Sequence, residues 1–377
     1  DTPMDEVTNQ PESTTSFEDE TASQPPPRSQ AGPKLAFIGY FFVPFFLVVG
    51  VTCNVMTIVI MRSSSFRHLP ISLVLIALSC SDTLLNVLLP FNKLFVRQLL
   101  GYDIRSISNV GCKIFFWAFR SAKMTSSWLV VLISVERFIA VLMPLKAATI
   151  NTRKNVRIII ASIYIGIGIF NGSWTTFADR IINTTCIPNS PVATLQKLGF
   201  IFLVAGLAVY SFIPSIFLIV TTGATCLELL RFRWVRRNML EEGSQKSKDE
   251  TGKTTVMLIG VSISFLILVL PVSFGHLVSY IKNVSFFESN DTAFVIYREL
   301  SVLLEQANYS INFFLYVVCC ASFRKQVLIM LGCGRFAGLI RTKSTAPKSN
   351  TSGNANPNKG LQKSDSSLAT ERSSVSA

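Results

Sequence analysis

The sequence has little charge, since Asp, Glu, Lys and Arg make up only 15% of its 377 residues while 49% are hydrophobic. Soluble domains carry about 25% charged residues, so this scarcity argues against a soluble globular protein. Histidine is also rare, with only two in the chain, His68 and His276. Neither accompanies a serine-based catalytic motif, so we do not expect an enzyme.

Internal repetition is also missing. No period of about 20 to 50 residues recurs along the chain. A transporter more often shows paired halves with helices broken at matching positions, and we find no such symmetry. A transporter is therefore kept only as an alternative of another class. Strict alternation of apolar and polar residues is absent too, which excludes the strands of a membrane barrel.

Long apolar runs are abundant, and seven of them reach the roughly 20 residues that a helix needs to cross the hydrocarbon of a bilayer. They cover residues 35–61, 69–92, 110–135, 158–178, 198–227, 254–281 and 294–323, numbered here as spans one to seven. We therefore predict an all-α membrane protein with a seven-transmembrane helix bundle over residues 35–335. Residues 1–34 and 336–377 are rich in polar residues and are predicted to be disordered tails.

The distribution of charge predicts the orientation. The loops after spans one, three and five and the C-terminal tail hold most of the 35 Lys and Arg residues. Because positive charge stays cytoplasmic, we expect a multi-pass plasma-membrane protein with an extracellular N-terminus. The net charge of +13 is then a topology signal, and nucleic-acid binding is not expected. Three N-glycosylation sequons lie in the predicted outer loops, at Asn183, Asn283 and Asn290.

Cysteine placement is compatible with this orientation. Of eight cysteines, only Cys112 and Cys186 lie on the predicted outer side. An oxidising exterior favours a disulfide between them, the alternative being two free surface thiols.

The stretch SWLVVLISVERFIAVLMPL, residues 127–145, places Glu136-Arg137 inside an otherwise apolar run. Burying such a pair in a bilayer is unfavourable, so the pair should lie at an edge or have a function there. At 1.5 Å per residue it lies about 37 Å of helix beyond Cys112, which places it at the inner interface.

Taken in order along the chain, the polar and proline landmarks form a familiar series. They are Asn54, Asp82 ending LSCSD, Cys112, Glu136-Arg137-Phe138, Pro144, Cys186, Pro214, Phe265, Pro271, Asn312 and Tyr316. In identity and spacing this series resembles the rhodopsin-like (class A) family of G-protein-coupled receptors, in particular its peptide receptors. The resemblance covers all seven spans and implies a receptor that activates a heterotrimeric G protein. It also implies the outer disulfide between Cys112 and Cys186.

Four positions depart from the family pattern. Span four has Tyr164 where the family usually has Trp, and Thr222 replaces a Tyr of span five. Val269 stands where span six normally has its toggle Trp, and Phe313 replaces the Pro of the span-seven Asn-Pro-x-x-Tyr element. These changes leave the expected fold intact, but they put the activation switch in doubt.

The inner motifs suggest a two-state switch. Glu136 holds Arg137 by a charge-assisted hydrogen bond at rest, and outward movement of span six frees Arg137. The remaining residues assigned to this switch are Phe265, Pro271, Asn312 and Tyr316. The alternative is an interfacial ion pair without a switching role.

Asp82 is a carboxylate predicted near the middle of the membrane, where ionised groups are rare and usually functional. As in the family, it is a candidate ligand of an allosteric sodium ion, together with Ser126, Asn308 and Asn312. The alternative is a protonated Asp82 hydrogen-bonded to Asn54 and Asn312. No other cofactor is expected.

The outer half indicates the kind of ligand. Phe119 occupies the position where amine receptors of the family have Asp, and span seven has no Lys for a retinal Schiff base. Charged groups and a His are present instead, at Lys93, Arg97, Arg120, Lys123, His276, Glu299 and Glu305. They favour a peptide with an acidic or amidated end. The alternative is a chemosensory receptor for a small, carboxylate-bearing or odorant-like molecule.

Lys123 and Glu305 are expected at similar depth from the outer face. Opposite charges at equal depth in a membrane invite pairing, so we predict an ion pair at the floor of the ligand site. Arg120, one turn above on the same face of span three, is then predicted to be left for the ligand.

The inner surface predicts partner proteins. Residues 227–237 continue span five as a basic amphipathic helix, and residues 322–336 predict a helix lying on the membrane, with Cys333 a palmitoylation candidate. Both segments suit a G protein, although attachment to anionic lipid explains them as well. Serine and threonine residues of the tail are candidate sites for receptor kinases, and hence for arrestin.

Overall fold

The computed structural model describes residues 31–92, 95–178, 180–182, 185–187, 196–238, 245–282 and 291–332. Several predicted sites lie outside these residues, namely Lys93, Asn183, Asn283, Asn290 and Cys333. Arg97 lies in a described helix, but its side chain is outside the description. The two predicted tails fall almost wholly outside it.

Seven membrane helices form the bundle that the apolar runs predict. Spans one to four are Ala31–Arg62, Pro70–Asn92, Asn109–Leu142 and Arg153–Ala178. Span five comprises Gln196–Leu207, a π-helical turn at Ala208–Phe212 and Ile213–Asn238, span six is Gln245–Ile281, and span seven is Thr292–Cys319. In the described part of the chain, six of these helices are long and apolar enough to cross a membrane alone. The seventh meets that test only together with the helix after it.

Span three lies at the centre of the bundle, where it packs against spans two, four, five and six. Its helix continues through Glu136-Arg137 to Leu142, so the charged pair is part of the last helical turns. Buried Leu129 and Ile133 face the common core, whereas lipid-facing positions of the other spans carry exposed Ile, Val and Phe. A helix that is apolar on all sides is expected where both the core and the solvent are apolar.

The outer end is closed by the predicted disulfide, which joins Cys112 to Cys186. Cys186 belongs to a short antiparallel hairpin in which strand Arg180–Ile182 pairs with strand Thr185–Ile187. Two short helices lie between spans two and three, Phe95–Leu100 and the 3-10 helix Ile104–Ile107.

The inner end differs from the prediction in one boundary. Span seven was expected to reach residue 323 but ends at Cys319, because Cys320 is extended and the next helix, Ala321–Met330, turns away by 105°. Phe323 of that helix is fully buried against Phe313 and Tyr316, and these contacts hold the turn. The predicted membrane-surface helix is therefore present. A further short helix, Pro144–Ile150, follows span three.

Candidate ligand site and intracellular switch

The predicted ion pair is present in the outer half of the bundle. Lys123 Nζ of span three lies 2.7 Å from Glu305 Oε1 of span seven, and both side chains are largely buried. The pair ties together two helices that are distant in sequence. Since each charge neutralises the other, the floor of the site carries no net charge from this pair.

Tyr210 completes this pair from span five. Its hydroxyl donates to Glu305 Oε1 at 2.5 Å and lies 3.3 Å from the hydroxyl of Tyr309. Lys123 Nζ lies 4.5 Å from the centre of the Tyr210 ring, a cation–π contact. Spans three, five and seven thus meet in one polar cluster of Lys123, Tyr210 and Glu305, called here the triad cluster, with the Tyr309 hydroxyl beside it.

The sequence analysis did not single out the two tyrosines. Tyr210 faces inward because it lies in the π-helical turn Ala208–Phe212, and such turns often occur at functional sites. Nothing in the sequence marks that turn. Tyr309 was detectable, since it lies four residues after Glu305 and hence on the same face of span seven.

The remaining outer candidates are arranged differently from the prediction. Arg120 is not left for a ligand, because its guanidinium donates to Thr175 Oγ1 at 3.3 Å and lies 5.3 Å from the Phe116 ring. Glu299 pairs with its neighbour Arg298 at 2.8 Å, so it does not oppose the cations of span three. Arg298 and Glu299 are neighbours in the sequence, so they form an ion pair with each other and not with a residue of span three.

His276 and Phe119 lie close to the triad cluster. His276 of span six interacts electrostatically with both Lys123 and Glu305. Phe119 packs against the cluster of Leu85, Ala122 and Tyr309, and it stacks on Phe115 with ring centres 6.2 Å apart. The structure therefore brings Phe119, Lys123, His276 and Glu305 together.

The loop after span two contains a charged pair that the sequence analysis missed. Asp103 and Arg105 are both buried and joined by two side-chain hydrogen bonds of 2.9 Å. Asp103 also accepts from the backbone N–H of Cys186 at 3.3 Å, which fastens the loop to the disulfide. Burial alone would raise the pKa of Asp103, but hydrogen bonds and the charge of Arg105 outweigh it and hold that pKa below its ordinary value.

Asp82 is fully buried in the middle of the bundle. It accepts hydrogen bonds from Ser126 Oγ at 2.6 Å and from Asn312 Nδ2 at 3.0 Å. Asn54, expected by one reading to bind Asp82, donates instead to the backbone carbonyl of Tyr309 at 3.0 Å. Asn308, the fourth candidate sodium ligand, is buried as well. A carboxylate with a hydroxyl and buried amides provides the oxygen donors that small hard cations prefer.

At the inner end, Arg137 Nη2 donates to Glu136 Oε1 at 3.2 Å, as predicted. Two further atoms of the pair, Glu136 Oε2 and Arg137 Nε, are buried without a hydrogen-bond partner among the described residues. The buried hydroxyl of Tyr316 also lacks one within the described chain. Buried polar groups are normally satisfied, so these three atoms are available for hydrogen bonds to groups other than the described residues.

Two of the four departures from the family pattern, Tyr164 and Thr222, make local polar contacts. The hydroxyl of Tyr164 in span four contacts Ser81 Oγ at 2.7 Å and the carbonyl of Ala77 at 3.1 Å, which joins it to span two. Thr222 lies 3.1 Å from the hydroxyl of Ser134. Val269 is fully buried beside Phe265 in the core, and its side chain offers no polar contact.

Residues 53–322 match the family model described as 7 transmembrane receptor (rhodopsin family). The chain is 23% identical to galanin receptor 2b of Danio rerio over 308 residues, which are 81% of this chain and 77% of that protein. It is 25% identical to growth hormone secretagogue receptor type 1 of Homo sapiens over 307 residues, 77% of this chain and 79% of that protein.

A third relative is G-protein coupled receptor 183 of Homo sapiens, with 23% identity over 314 residues, 81% of this chain and 83% of that protein. The family model covers more than half of the chain, including all the landmarks from Asp82 to Tyr316. The chain therefore belongs to the rhodopsin family of seven-transmembrane receptors, a family of signalling receptors rather than enzymes.

Proposed function

We propose that this receptor lies in the plasma membrane with its N-terminus outside, binds an extracellular peptide, most specifically a neuropeptide, and activates a heterotrimeric G protein. The peptide assignment is supported by relatives that are named as receptors for galanin and for growth hormone secretagogues. The orientation is supported by the concentration of Lys and Arg on the side of the inner loops. The observation that carries the signalling assignment is the Glu136–Arg137 pair, with its unsatisfied atoms at the inner end of span three.

The ligand site is proposed around His276, Phe119 and the triad cluster. Because Lys123 is already paired with Glu305, a small anionic ligand could bind Lys123 only by displacing the buried Glu305 carboxylate. A peptide can instead supply many neutral hydrogen bonds and aromatic contacts at once. The arrangement therefore favours a peptide over the chemosensory alternative.

The triad cluster is proposed to replace the missing toggle Trp of span six. Val269 can pack but cannot change hydrogen bonds, whereas Lys123, Tyr210 and Glu305 join three spans through directional contacts. His276 gives span six a link to the same charges. A ligand that shifts any one of these groups changes the relative energy of two helix arrangements, which is the requirement for a conformational switch.

At the inner end the proposed active state exposes Arg137 to the G protein. Outward movement of span six would open the surface between the inner ends of spans three, five and six. Arg137 would then leave Glu136 for acceptors of the partner, and the hydroxyl of Tyr316 would find a partner that it lacks at rest. Span five, which stays helical to Asn238, extends the surface available to that partner.

A sodium ion is proposed as an allosteric ligand of the resting state. Asp82, Ser126, Asn308 and Asn312 would hold it. A buried cation would balance the Asp82 carboxylate and so favour the packing in which spans two, three and seven are close.

The remaining partners are proposed from sequence alone. Receptor kinases and arrestin would act on the serine-rich tail, and lipid would contact the helix Ala321–Met330, with a palmitoyl group at Cys333. Glycosylation is proposed at Asn183, Asn283 and Asn290.

The function is tested by screening peptides for calcium or cAMP responses in cells and by nucleotide exchange on purified G proteins. In the exchange assay without ligand, Glu136→Gln should raise basal exchange because Arg137 loses its charged partner, and Arg137→Ala should abolish ligand-driven exchange. Lys154→Gln, which removes an exposed inner charge, is the control. Unchanged exchange in both variants at equal surface expression would reject the role of the Glu136–Arg137 pair. The absence of exchange with every peptide would reject the G-protein assignment, and solute flux without exchange would favour a transporter.

A further inference from the structure

The loop between spans two and three has an inverted distribution of polarity. Two of its charged residues, Asp103 and Arg105, are buried, 4% and 8% exposed; they bond to each other, and Asp103 also accepts from the backbone N–H of Cys186. Four of its apolar residues are exposed instead. They are Leu99, 65% exposed, Leu100, 49%, Tyr102, 56%, and Ile107, 75%. A loop surrounded by water would be expected to show the opposite arrangement.

The exposed apolar residues continue a surface that already faces lipid. Val110, Ile114 and Trp117 of span three follow Ile107 directly, and all three are exposed. Their spacing of four and three residues places them on one face of the helix. The helix Phe95–Leu100 packs against the outer ends of spans one and two, and the turn Ile104–Ile107 packs against span three. The loop therefore crosses the outer rim of the bundle next to its lipid-facing surface.

The depth of the loop agrees with this position. Span three has 34 residues, about 51 Å of helix at 1.5 Å per residue. This is longer than the roughly 30 Å of hydrocarbon and also than the 40–45 Å that includes the headgroup regions, so the helix reaches the headgroup regions at both ends. The first turn of span three and the loop residues before it therefore lie at or above headgroup level, and the exposed apolar side chains favour the headgroup level over bulk water.

The composition of the loop suits that level. Aliphatic side chains gain from contact with acyl chains, and a Tyr with an apolar ring and a polar tip is enriched at membrane interfaces. The buried Asp103–Arg105 pair removes from the surface two charges that would otherwise resist immersion. Arg97 is the remaining charged residue between Phe95 and Ile107.

We infer that the segment 99–107 is a membrane-interface anchor, whose apolar face inserts into the outer boundary between headgroups and acyl chains. The occupant of this face is lipid rather than a peptide ligand or a second receptor, because the face is continuous with the lipid-facing side of span three. The hydrogen bond from the backbone N–H of Cys186 to Asp103 joins this segment to the hairpin at the outer end of the bundle. The inference depends neither on the proposed ligand nor on the proposed G protein.

The test uses the full-length receptor in lipid nanodiscs, with the free cysteines replaced and a polarity-sensitive fluorophore attached at one new cysteine. Ile107→Cys and Leu100→Cys are the test sites, and Lys282→Cys, exposed at the end of span six, is the control. We expect blue-shifted emission at both test sites, several-fold stronger quenching by lipids with a nitroxide near the headgroup, and weaker quenching by iodide than at Lys282.

Two results would overturn the anchor. Emission and iodide quenching equal to those at Lys282 would show that the loop lies in water. Protection from iodide without quenching by the nitroxide lipid would show that protein covers the face, and titration of receptor per nanodisc would then identify a second copy. Thiol labelling of each variant should confirm that the Cys112–Cys186 disulfide is intact, because the loop is attached to the hairpin that this disulfide holds.

Discussion

Lys123 Nζ and Glu305 Oε1 lie 2.7 Å apart, and the hydroxyl of Tyr210 reaches the same carboxylate oxygen at 2.5 Å. One oxygen atom therefore accepts from span three and from span five at once. Because Glu305 belongs to span seven, a change in any one of the three helices alters the environment of the other two. The Lys123–Glu305 pair therefore couples the positions of spans three, five and seven and is more than a local stabilising contact.

Breaking the pair should be strongly destabilising. Lys123→Gln and Glu305→Gln each leave a buried charge alone, for which we expect a loss of about 3–5 kcal/mol in the free energy of unfolding. The double variant should cost clearly less than the sum of the two. Lys123→Glu combined with Glu305→Lys should also partly restore surface expression. A double-mutant cycle by thermal denaturation in detergent measures the coupling.

The exposed pair of Arg231 and Glu228 is the control for this cycle. These groups lie 3.9 Å apart on the inner extension of span five, and Arg231 is well exposed. We expect Glu228→Gln to change stability by less than about 1 kcal/mol. If the Lys123 and Glu305 losses simply add, each charge has its own solvated surroundings and the coupling role is wrong.

Tyr210→Phe isolates the hydroxyl contribution. The ring, and with it the contact to Lys123, is retained, while Glu305 loses a donor. Loss of such a bond to a buried charged group should cost about 1–3 kcal/mol and alter the ligand response without changing the ion pair. Tyr297→Phe, which removes a hydroxyl bonded to the carbonyl of Pro271, is the comparison outside the triad cluster. Equal ligand responses in wild type and Tyr210→Phe would contradict a coupling role.

Much of the fold followed from the sequence because hydrophobic length is a strong local signal. The seven spans, the disulfide and the inner surface helix were all predicted, and the Lys123–Glu305 pair followed from matching depth. Boundaries were less certain, as the end of span seven shows. It depends on the extended conformation of Cys320 and on burial of Phe323, which are tertiary effects.

The parts of the site that the sequence did not reveal depend on backbone irregularity or on choice among partners. Tyr210 turns inward through a π-helical turn, and no residue pattern marked that turn. Arg120 had several possible partners, and only the packing of spans three and four selects Thr175. No sequence motif marked Asp103 and Arg105, and their burial is visible only in three dimensions.

Gly50 of span one allows spans one, two and seven to approach closely. A Cβ at this position would lie 2.5 Å from both Asn86 Nδ2 and Ser310 Oγ. Gly50→Ala should therefore lower stability by about 1–3 kcal/mol, the usual effect of overpacking. Gly166→Ala is the matched control, because a Cβ there meets nothing within 4 Å, and it should stabilise span four by about 0.5–1 kcal/mol. Similar melting temperatures for the two variants would show that the close approach relaxes easily.

The lowered pKa of Asp103 predicts that the stability of the folded receptor depends on pH. Its pKa is lowered in the folded protein, so the unfolded chain binds its proton more readily than the folded one. The carboxylate therefore stabilises the fold above its ordinary pKa of 3.8, and this contribution is lost as the pH falls from there toward the folded value. Asp103→Asn should remove that part of the acid dependence in thermal denaturation below about pH 4. An acid dependence identical in wild type and variant would show that Arg105 does not stabilise the ionised form.

Substitution of Tyr316 separates an effect on the stability of the resting receptor from an effect on signalling. Its hydroxyl is buried and lacks a hydrogen-bond partner among the residues described, while its ring packs against Phe323. An unsatisfied buried hydroxyl costs about 1–3 kcal/mol, so Tyr316→Phe should leave the stability of the resting receptor unchanged or raise it. If that hydroxyl gains a partner only when span six moves outward, the same variant should lower ligand-driven G-protein exchange, because the active arrangement alone loses a hydrogen bond.

Tyr164→Phe is the matched control, since its hydroxyl is bonded to Ser81 and Ala77 in the resting state, and it should lower stability by about 1 kcal/mol. Thermal denaturation and nucleotide exchange measured on both variants separate the two effects. A loss of stability in Tyr316→Phe as large as in Tyr164→Phe would mean that the hydroxyl is already satisfied at rest, and Tyr316 would then have no role in switching.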